Sequence, residues 1–475
     1  MTHRYNLSMV SLEKLSNRRM FFSFLGALNL FWFFALFPAR MGADAVGLLQ
    51  IIRNGQSTDW WTGAFYWFFR ITSIDGRYPA ITALVQLAIF CLCMIYFVRS
   101  LPFSKEVQNI TLLAFSSLPI YGFFGMSIAH DLTQTAGIVL LVAIEIRRLR
   151  SLEIHRLSTI LLLASLLLIT THTGIVIFGL AVLRNIPYLK LKRTLLTLTI
   201  VLSVFFLSSI GLTSGLNVHG NFIKSSDLKY GTLLADVRCV AQHINAEISP
   251  EDWVVLLKIS SQENWVDQLS CQHADDQINA LKLSEKKYNL SNIEFLETYF
   301  SIASDNPVIV AMSHIQRARG VLPPLLFQPP SNQVSLDVSI PLGQGTNTAL
   351  QSGPVFLHPS VDLPGLVDSK PELFKLFEIP AQGLGFTFNQ ASWFWGWGGL
   401  WLLLGIVFLI KTMEFHRIRT VLVAFYPPIF MHLLLILFIP TSVPRYYMYS
   451  IVIGISISIA YLTSRIVERG RKSNR

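Results

Sequence analysis

Ten apolar stretches, most of them about as long as a bilayer is thick, constrain this chain more than any other feature. They fall at roughly 20–37, 79–98, 107–125, 132–146, 158–171, 173–184, 194–212, 392–410, 420–439 and 447–464. A helix needs ~20 mostly apolar residues to cross the hydrocarbon core. Backbone at that depth has no water to bond, so a helix that satisfies its own groups is the natural solution. The expectation is a polytopic α-helical membrane protein with about ten spans. The stretches at 132–146, 158–171 and 173–184 are short, and 158–184 also reads as one kinked helix or a re-entrant pair. Composition points the same way: 14% of residues are charged, against about 25% in soluble domains. That argues against an ordinary soluble enzyme and against a disordered chain.

The net charge of +10 would suggest nucleic acid if it lay on one soluble face. Its distribution says otherwise. With the N-terminus inside, the inner segments carry 22 Lys and Arg, whereas the short outer loops carry five: Arg40, Arg53, Arg70, Arg77 and Arg445. Inner loops hold the basic excess, so both termini are expected in the cytoplasm and no nucleic-acid partner is implied. Residues 213–391 fall outside and are acidic, with 11 basic against 18 acidic residues. The domains read as 1–212 (about seven spans, first outer loop 38–78), a mixed, mostly helical periplasmic domain at 213–391, and 392–475 with three spans. The Ala43, Asp44, Ala45 sequence matches a signal-cleavage pattern, but the long basic lead and long apolar core favour an uncleaved first helix.

Within the outer domain, 281–304 and 307–319 have helical apolar spacing. Ten of the 21 prolines fall in 321–391, which reads as extended and loop-rich. Cys239 and Cys271 both lie in this domain, where an oxidising exterior permits a disulfide; spacing alone leaves the bond open. Cys91 and Cys93 read as apolar packing, and no Cys/His spacing resembles a zinc site. Seven of ten tryptophans lie in two short segments, Trp60, Trp61 and Trp67, then Trp393, Trp395, Trp397 and Trp401. Both segments map to the outer interface, where indole rings settle, and Asp59–Ile71 reads as a helix lying in it. An aromatic belt accounts for this; an apolar wall for a lipid-linked or sugar substrate is the functional alternative.

No P-loop, dinucleotide fingerprint or nucleophile elbow occurs. What remains is a set of polar groups on the outer rim: Arg40, Asp44 and Asp59 in the first loop, His130 and Asp131 in the second, His172 in the third, Arg445 and Tyr446 in the last. Taken singly, each reads as a solvated boundary residue. Gathered together, a carboxylate and an arginine could act as general base and phosphate clamp. No charged residue lies clearly at mid-span. Glu145 sits at a cytoplasmic end and His432 is the main deeper exception, so ion-coupled transport is disfavoured.

These residues carry a resemblance. A basic tail and one span followed by an acid just past the membrane (Asp44), an interfacial aromatic stretch (Asp59, Trp60, Trp61) and an Arg-Tyr pair at the outer end of the last span (Arg445, Tyr446) resemble the GT-C superfamily of polytopic glycosyltransferases. Size and layout look most like its phage and prophage serotype-converting glucosyltransferases, which decorate O-antigen. The resemblance implies an inverting transfer of a hexose, glucose in those relatives, from undecaprenyl phosphate to a periplasmic glycan in the lipopolysaccharide of a bacterial inner membrane. It implies Asp44 as base, and Arg445, Tyr446, Arg40 and Arg77 at the donor phosphate. His130, Asp131 and Asp59 would assist or hold the acceptor, with Trp60 and Trp61 lining it. The partners would be the lipid-linked donor, the glycan acceptor and membrane lipid. The resemblance implies no certain cofactor. Departures from the family pattern, a single acid at Asp44 before Ala45 and Trp60-Trp61 where relatives have His-Pro, leave a divalent metal open, with no metal ligands assigned. Residues 213–391 match no member. An O-antigen polymerase or ligase and a lipid-linked sugar transporter or flippase are the competing classes.

Overall fold

The computed structural model describes residues 18–37, 39–41, 43–58, 61–150, 157–188, 191–213, 222–223, 231–266, 271, 281, 292–318, 322, 373–374, 376–377, 379–381, 384, 394, 397–413, 418–438 and 444–473. The first body of helices comprises α1 (Arg18–Ala35), α2 (Ala43–Arg53), α3 (Gly63–Thr72), α4 (Pro79–Ser100), α5 (Lys105–Ser117), α6 (Pro119–Gly125), α7 (His130–Leu149), α8 (Leu157–Leu168), α9 (His172–Asn185) and α10 (Leu191–Thr213). Then come α11 (Gly231–Ala241), α12 (Pro250–Ile259), α13 (Gln262–Val266), α14 (Asn292–Asp305) and α15 (Pro307–Arg317). The chain closes with α16 (Gly398–Thr412), α17 (Ile418–Ala424), α18 (Tyr426–Phe438) and α19 (Met448–Ser473).

The described residues of the ten apolar stretches are mostly helical, but helix is not the same as span. Among the described residues, α4 and the Met448–Gly470 part of α19 are long and apolar enough to cross a membrane alone, and the pairs α5–α6 and α17–α18 raise the number to four if each is one broken span. The protein is therefore a helical, membrane-associated one. The shortfall has local causes. Between α5 and α6 the axis bends 70° because Leu118, which precedes Pro119, is extended at φ −70 and ψ 138. Proline excludes the helical region for the residue before it and removes a donor. The 65° bend between α17 and α18 falls at Phe425, just before Tyr426, Pro427 and Pro428. The 12 residues of α8 extend only about 18 Å at 1.5 Å per residue. Residues 158–184 form two helices, α8 and α9, separated by a turn.

At the centre of the bundle is α7, buried at every position from Asp131 to Ile146, as expected of a helix packed on all sides. Helices α4, α8, α19 and α17 pack around it. The α16–α19 pair is the closest, because glycines let two backbones meet. A Cβ on Gly454 would lie 2.0 Å from the Trp401 carbonyl oxygen, and one on Gly405 would lie 3.1 Å from the Gly454 Cα. At the end of α7 remote from His130, Glu145 accepts from Arg148 at 2.6 Å and lies 3.5 Å from Arg184 of α9. Arg148 also donates to Asn185 and stands 4.0 Å over the Tyr188 ring.

A second, separate core gathers Leu234, Val237, Val240, Leu256, Trp265, Phe295 and Ile302 from α11 to α14. Cys239 and Cys271 are joined in a disulfide there, with Cα atoms 5.2 Å apart. Beside it Asp236, fully buried, takes donors from four groups. Arg317 pairs with it, His314 Nε2 lies at 2.9 Å, Ser313 at 2.9 Å and Tyr299 at 3.3 Å. Of the expected helix at 281–304, Leu281 lies in a turn and 292–304 are helical within α14. Positions 373–374, 376–377 and 379–381, expected to be extended, are helical. The reason is aromatic packing at helical spacing: Phe374 and Phe377 lie 4.7 and 5.4 Å from the Phe34 ring. Of the other described apolar side chains there, Ala381 is buried, whereas Leu373, Leu376 and Ile379 stay exposed.

Candidate functional site

Two short bridges decide what meets at the rim. Strand β1 (Arg40–Met41) runs parallel to β3 (Ser127–Ile128), with Arg40 opposite Ser127 and Met41 opposite Ile128. The pairing sets the backbone that leads to Asp44 beside the backbone that leads to His130. Asp44 is the second residue of α2. Strand β2 (Ser57–Thr58) likewise pairs in parallel with β4 (Phe222–Ile223), tying the first loop to the start of the 213–391 segment.

His130 and Asp131 open α7. Their side chains are 3.5 Å apart, Nε2 to Oδ1, with the imidazole partly exposed and the carboxylate nearly buried. The Phe65 ring meets His130 edge-on at 5.5 Å, so the aromatic stretch after Trp61 forms one wall. The local sequence explains that wall. Thr62 is extended and its hydroxyl accepts from the Phe65 N–H, which starts α3 at Gly63. The interfacial helix expected at Asp59–Ile71 therefore begins later within that stretch. Behind His130, Gln86 of α4 donates to the Ala129 carbonyl at 2.9 Å, Thr133 contacts Thr170 at 2.6 Å, and Gln134 donates to Thr173 at 2.9 Å. These bonds fix α7 against α4, against the turn before α9 and against the first turn of α9, whose first residue, His172, is exposed.

The Arg445 and Tyr446 pair lies in a 3-10 turn, Pro444–Tyr447, which packs on α7. Tyr446 is half-buried and Tyr447 fully buried. The fold thus gathers four separate segments at one end of the bundle: 40–44, 61–65, 127–131 and 444–447. The side chains of Arg40, Asp44 and Arg445, and residues Asp59 and Trp60 altogether, lie outside the described residues. Arg77 is not gathered with the rest. It is exposed on the turn that follows α3, at the opposite end of that helix from the Phe65–His130 contact, where its charge and burial together lower the Arg53 pKa, burial being the larger cause. Trp61 is buried rather than facing an interface. Trp397 and Trp401 are also buried, and their indoles donate to the carbonyls of Leu322 and Phe394 at 2.8 and 3.0 Å. Trp67 donates to Ser208 of α10 at 3.2 Å. These indoles brace protein against protein, which a belt reading did not foresee.

An ionisable imidazole beside a shielded carboxylate can hold or pass a proton. Among the described residues no three His, Cys, Asp or Glu side chains gather as a metal site would require. Phe65 and Gln86 were not singled out from the sequence. Gln86 had a visible signal, as an amide within an otherwise apolar helix; Phe65, one aromatic among many, had none. Compared with protein-family models, with curated proteins and with solved structures, the chain matches none.

Proposed function

We propose that this chain is a multi-pass membrane glycosyltransferase that moves a hexose from a polyprenyl phosphate to a glycan acceptor. The observation that carries the reading is the convergence of the segments bearing Arg40, Asp44, His130, Asp131 and Arg445 at one end of the bundle, through the β1–β3 bridge and the packing of the 444–447 turn on α7. The charge asymmetry of the loops supports placing that end, with residues 213–391, in the periplasm and both termini in the cytoplasm of a bacterial inner membrane, with about ten spans in all.

In this mechanism the acceptor hydroxyl oxygen attacks the anomeric carbon from the face opposite the phosphate. The bond from that carbon to the phosphate oxygen breaks, its electron pair leaves with the lipid phosphate, and the configuration inverts. The Asp44 carboxylate takes the hydroxyl proton. Arg445, with Arg40 and Tyr446, stabilises the charge building on the phosphate. His130 and Asp131 orient the acceptor. Arg77 has no role in this scheme, because the fold sets it at the far end of α3.

The test is mass analysis of surface glycan from cells with and without the protein, together with an Asp44→Asn variant. The expected result is one added hexose per repeat, lost with Asp44→Asn by a factor of about 10²–10⁴, the range for removing a general base. Altered chain length in place of added hexose would point to a polymerase. Movement of lipid-linked sugar without transfer would point to a transporter.

A further inference from the structure

Between α1 and α4 lies an open groove of about 370 Å³, lined by Phe22, Leu25, Gly26, Leu84, Cys91 and Ile95 among others. Its one amide, Asn29, is already satisfied: it donates to Leu25 O at 2.7 Å and to Cys91 Sγ at 3.6 Å, and accepts from Tyr121 at 2.6 Å. The groove therefore asks for hydrocarbon. Its lining runs from Phe22 to Leu30 on α1 and from Leu84 to Ile95 on α4, about 12 to 17 Å at 1.5 Å per residue. That matches one leaflet, about half of a ~30 Å hydrocarbon core.

One mouth of the groove is basic. The Arg18 guanidinium stands 5.9 Å over the ring of Phe22, and that of Arg99 stands 5.5 Å over the ring of the adjacent Phe21. Arg99 donates to the amide oxygens of Gln108, at 3.1 Å, and Asn109, both neutral, so its charge is held in place without being cancelled. Among the described residues no carboxylate pairs with either arginine. This mouth lies at the end of the bundle opposite the 40–44 and 127–131 segments, so a lipid seated here is not one whose phosphate reaches the proposed transfer site.

We propose that this groove binds one anionic glycerophospholipid, an acyl chain along Gly26 and Leu84 and the phosphate at Arg18 and Arg99. Native mass spectrometry of the full-length protein in detergent, with phosphatidylglycerol or phosphatidylethanolamine as the probe, tests it. Wild type should hold one phosphatidylglycerol in preference to phosphatidylethanolamine. Gly26→Phe should lose it, because a Cβ there meets nothing within 4 Å and the ring can fill the groove without displacing a neighbour. Gly179→Phe, at an equally open position on α9 away from the groove, should retain it. Arg18→Gln, at an exposed position that keeps the fold independent of the groove, should weaken phosphatidylglycerol binding roughly fivefold and leave phosphatidylethanolamine unchanged, as removal of one basic residue at an anionic headgroup requires. Equal retention of the two lipids by wild type, or Arg18→Gln binding as wild type does, overturns the proposal.

Discussion

Removing the Asp236 carboxylate should loosen the second core more than any other single change in it. Asp236 and Arg317 are both fully buried, and Asp236 also takes hydrogen bonds from His314, Ser313 and Tyr299. Arg317 donates to His314 Nδ1 at 3.3 Å, which leaves Nε2 carrying the proton that points at Asp236. Deleting one member of a buried pair strands the other charge and costs about 3–5 kcal/mol. Replacing both with apolar residues of similar volume removes that penalty. So Asp236→Ala should cost several kcal/mol, and Asp236→Leu with Arg317→Met distinctly less. Hydrogen exchange of the full-length protein in detergent reads this directly. Amides of 231–241 and 307–317 should exchange roughly 10²- to 10³-fold faster or more in Asp236→Ala, as about 3–5 kcal/mol requires. The pH dependence has a defined sign. Burial alone would raise the Asp236 pKa, but the His314 hydrogen bond and the Arg317 charge outweigh it and hold the carboxyl below its ordinary value. A folded pKa below the unfolded one means the stabilisation is whole above the unfolded value of about 3.9. It is then lost as the pH falls through the folded value. Wild-type protection in these two helices should thus be steady near neutrality and fade in strong acid, with the Asp236→Ala variant lacking that contribution. If Asp236→Ala exchanged within a factor of three of wild type, or if the double variant were as loose as the single, the reasoning would be refuted.

Two further outcomes follow from close approaches and cross-links. Gly63→Leu should detach α3 from α10, since a Cβ there would lie 2.5 Å from the Ser208 carbonyl carbon; a lower thermal midpoint together with raised exchange in 63–72 checks it, and wild-type behaviour refutes it. Cys239→Ser, which opens a cross-link spanning 32 residues, should destabilise the second core by about 3–4 kcal/mol, read as faster exchange in 231–241 with the helices of the first core unchanged.

The bends show where linear reading stops. Pro119 was visible, and so was the pair Pro427 and Pro428, yet runs such as 107–125 read as single spans because hydropathy averages over a bend. The tryptophans show the same limit from another side. Their clustering was legible, but whether an indole meets lipid headgroups or a carbonyl such as Leu322 O depends on a partner 75 residues away. Asp236, His314 and Arg317 drew no notice at all, because a charged residue in an acidic segment reads as solvated until its neighbours are known.

By itself the sequence determined that this chain is helical and apolar enough to associate with a membrane, that its basic residues outnumber its acidic ones outside 213–391, and that Cys239 and Cys271 share a segment. These are properties of composition and order along the chain, and neighbours in sequence decide them. The tertiary structure alone decided that the approach to Asp44 lies beside the approach to His130, that Phe65 faces that imidazole, and that Arg77 stands apart. The β1–β3 bridge joins residues 87 apart, and the 444–447 turn reaches α7 from more than 290 residues away. Contacts at such separations are set by how whole helices pack, so no local pattern records them.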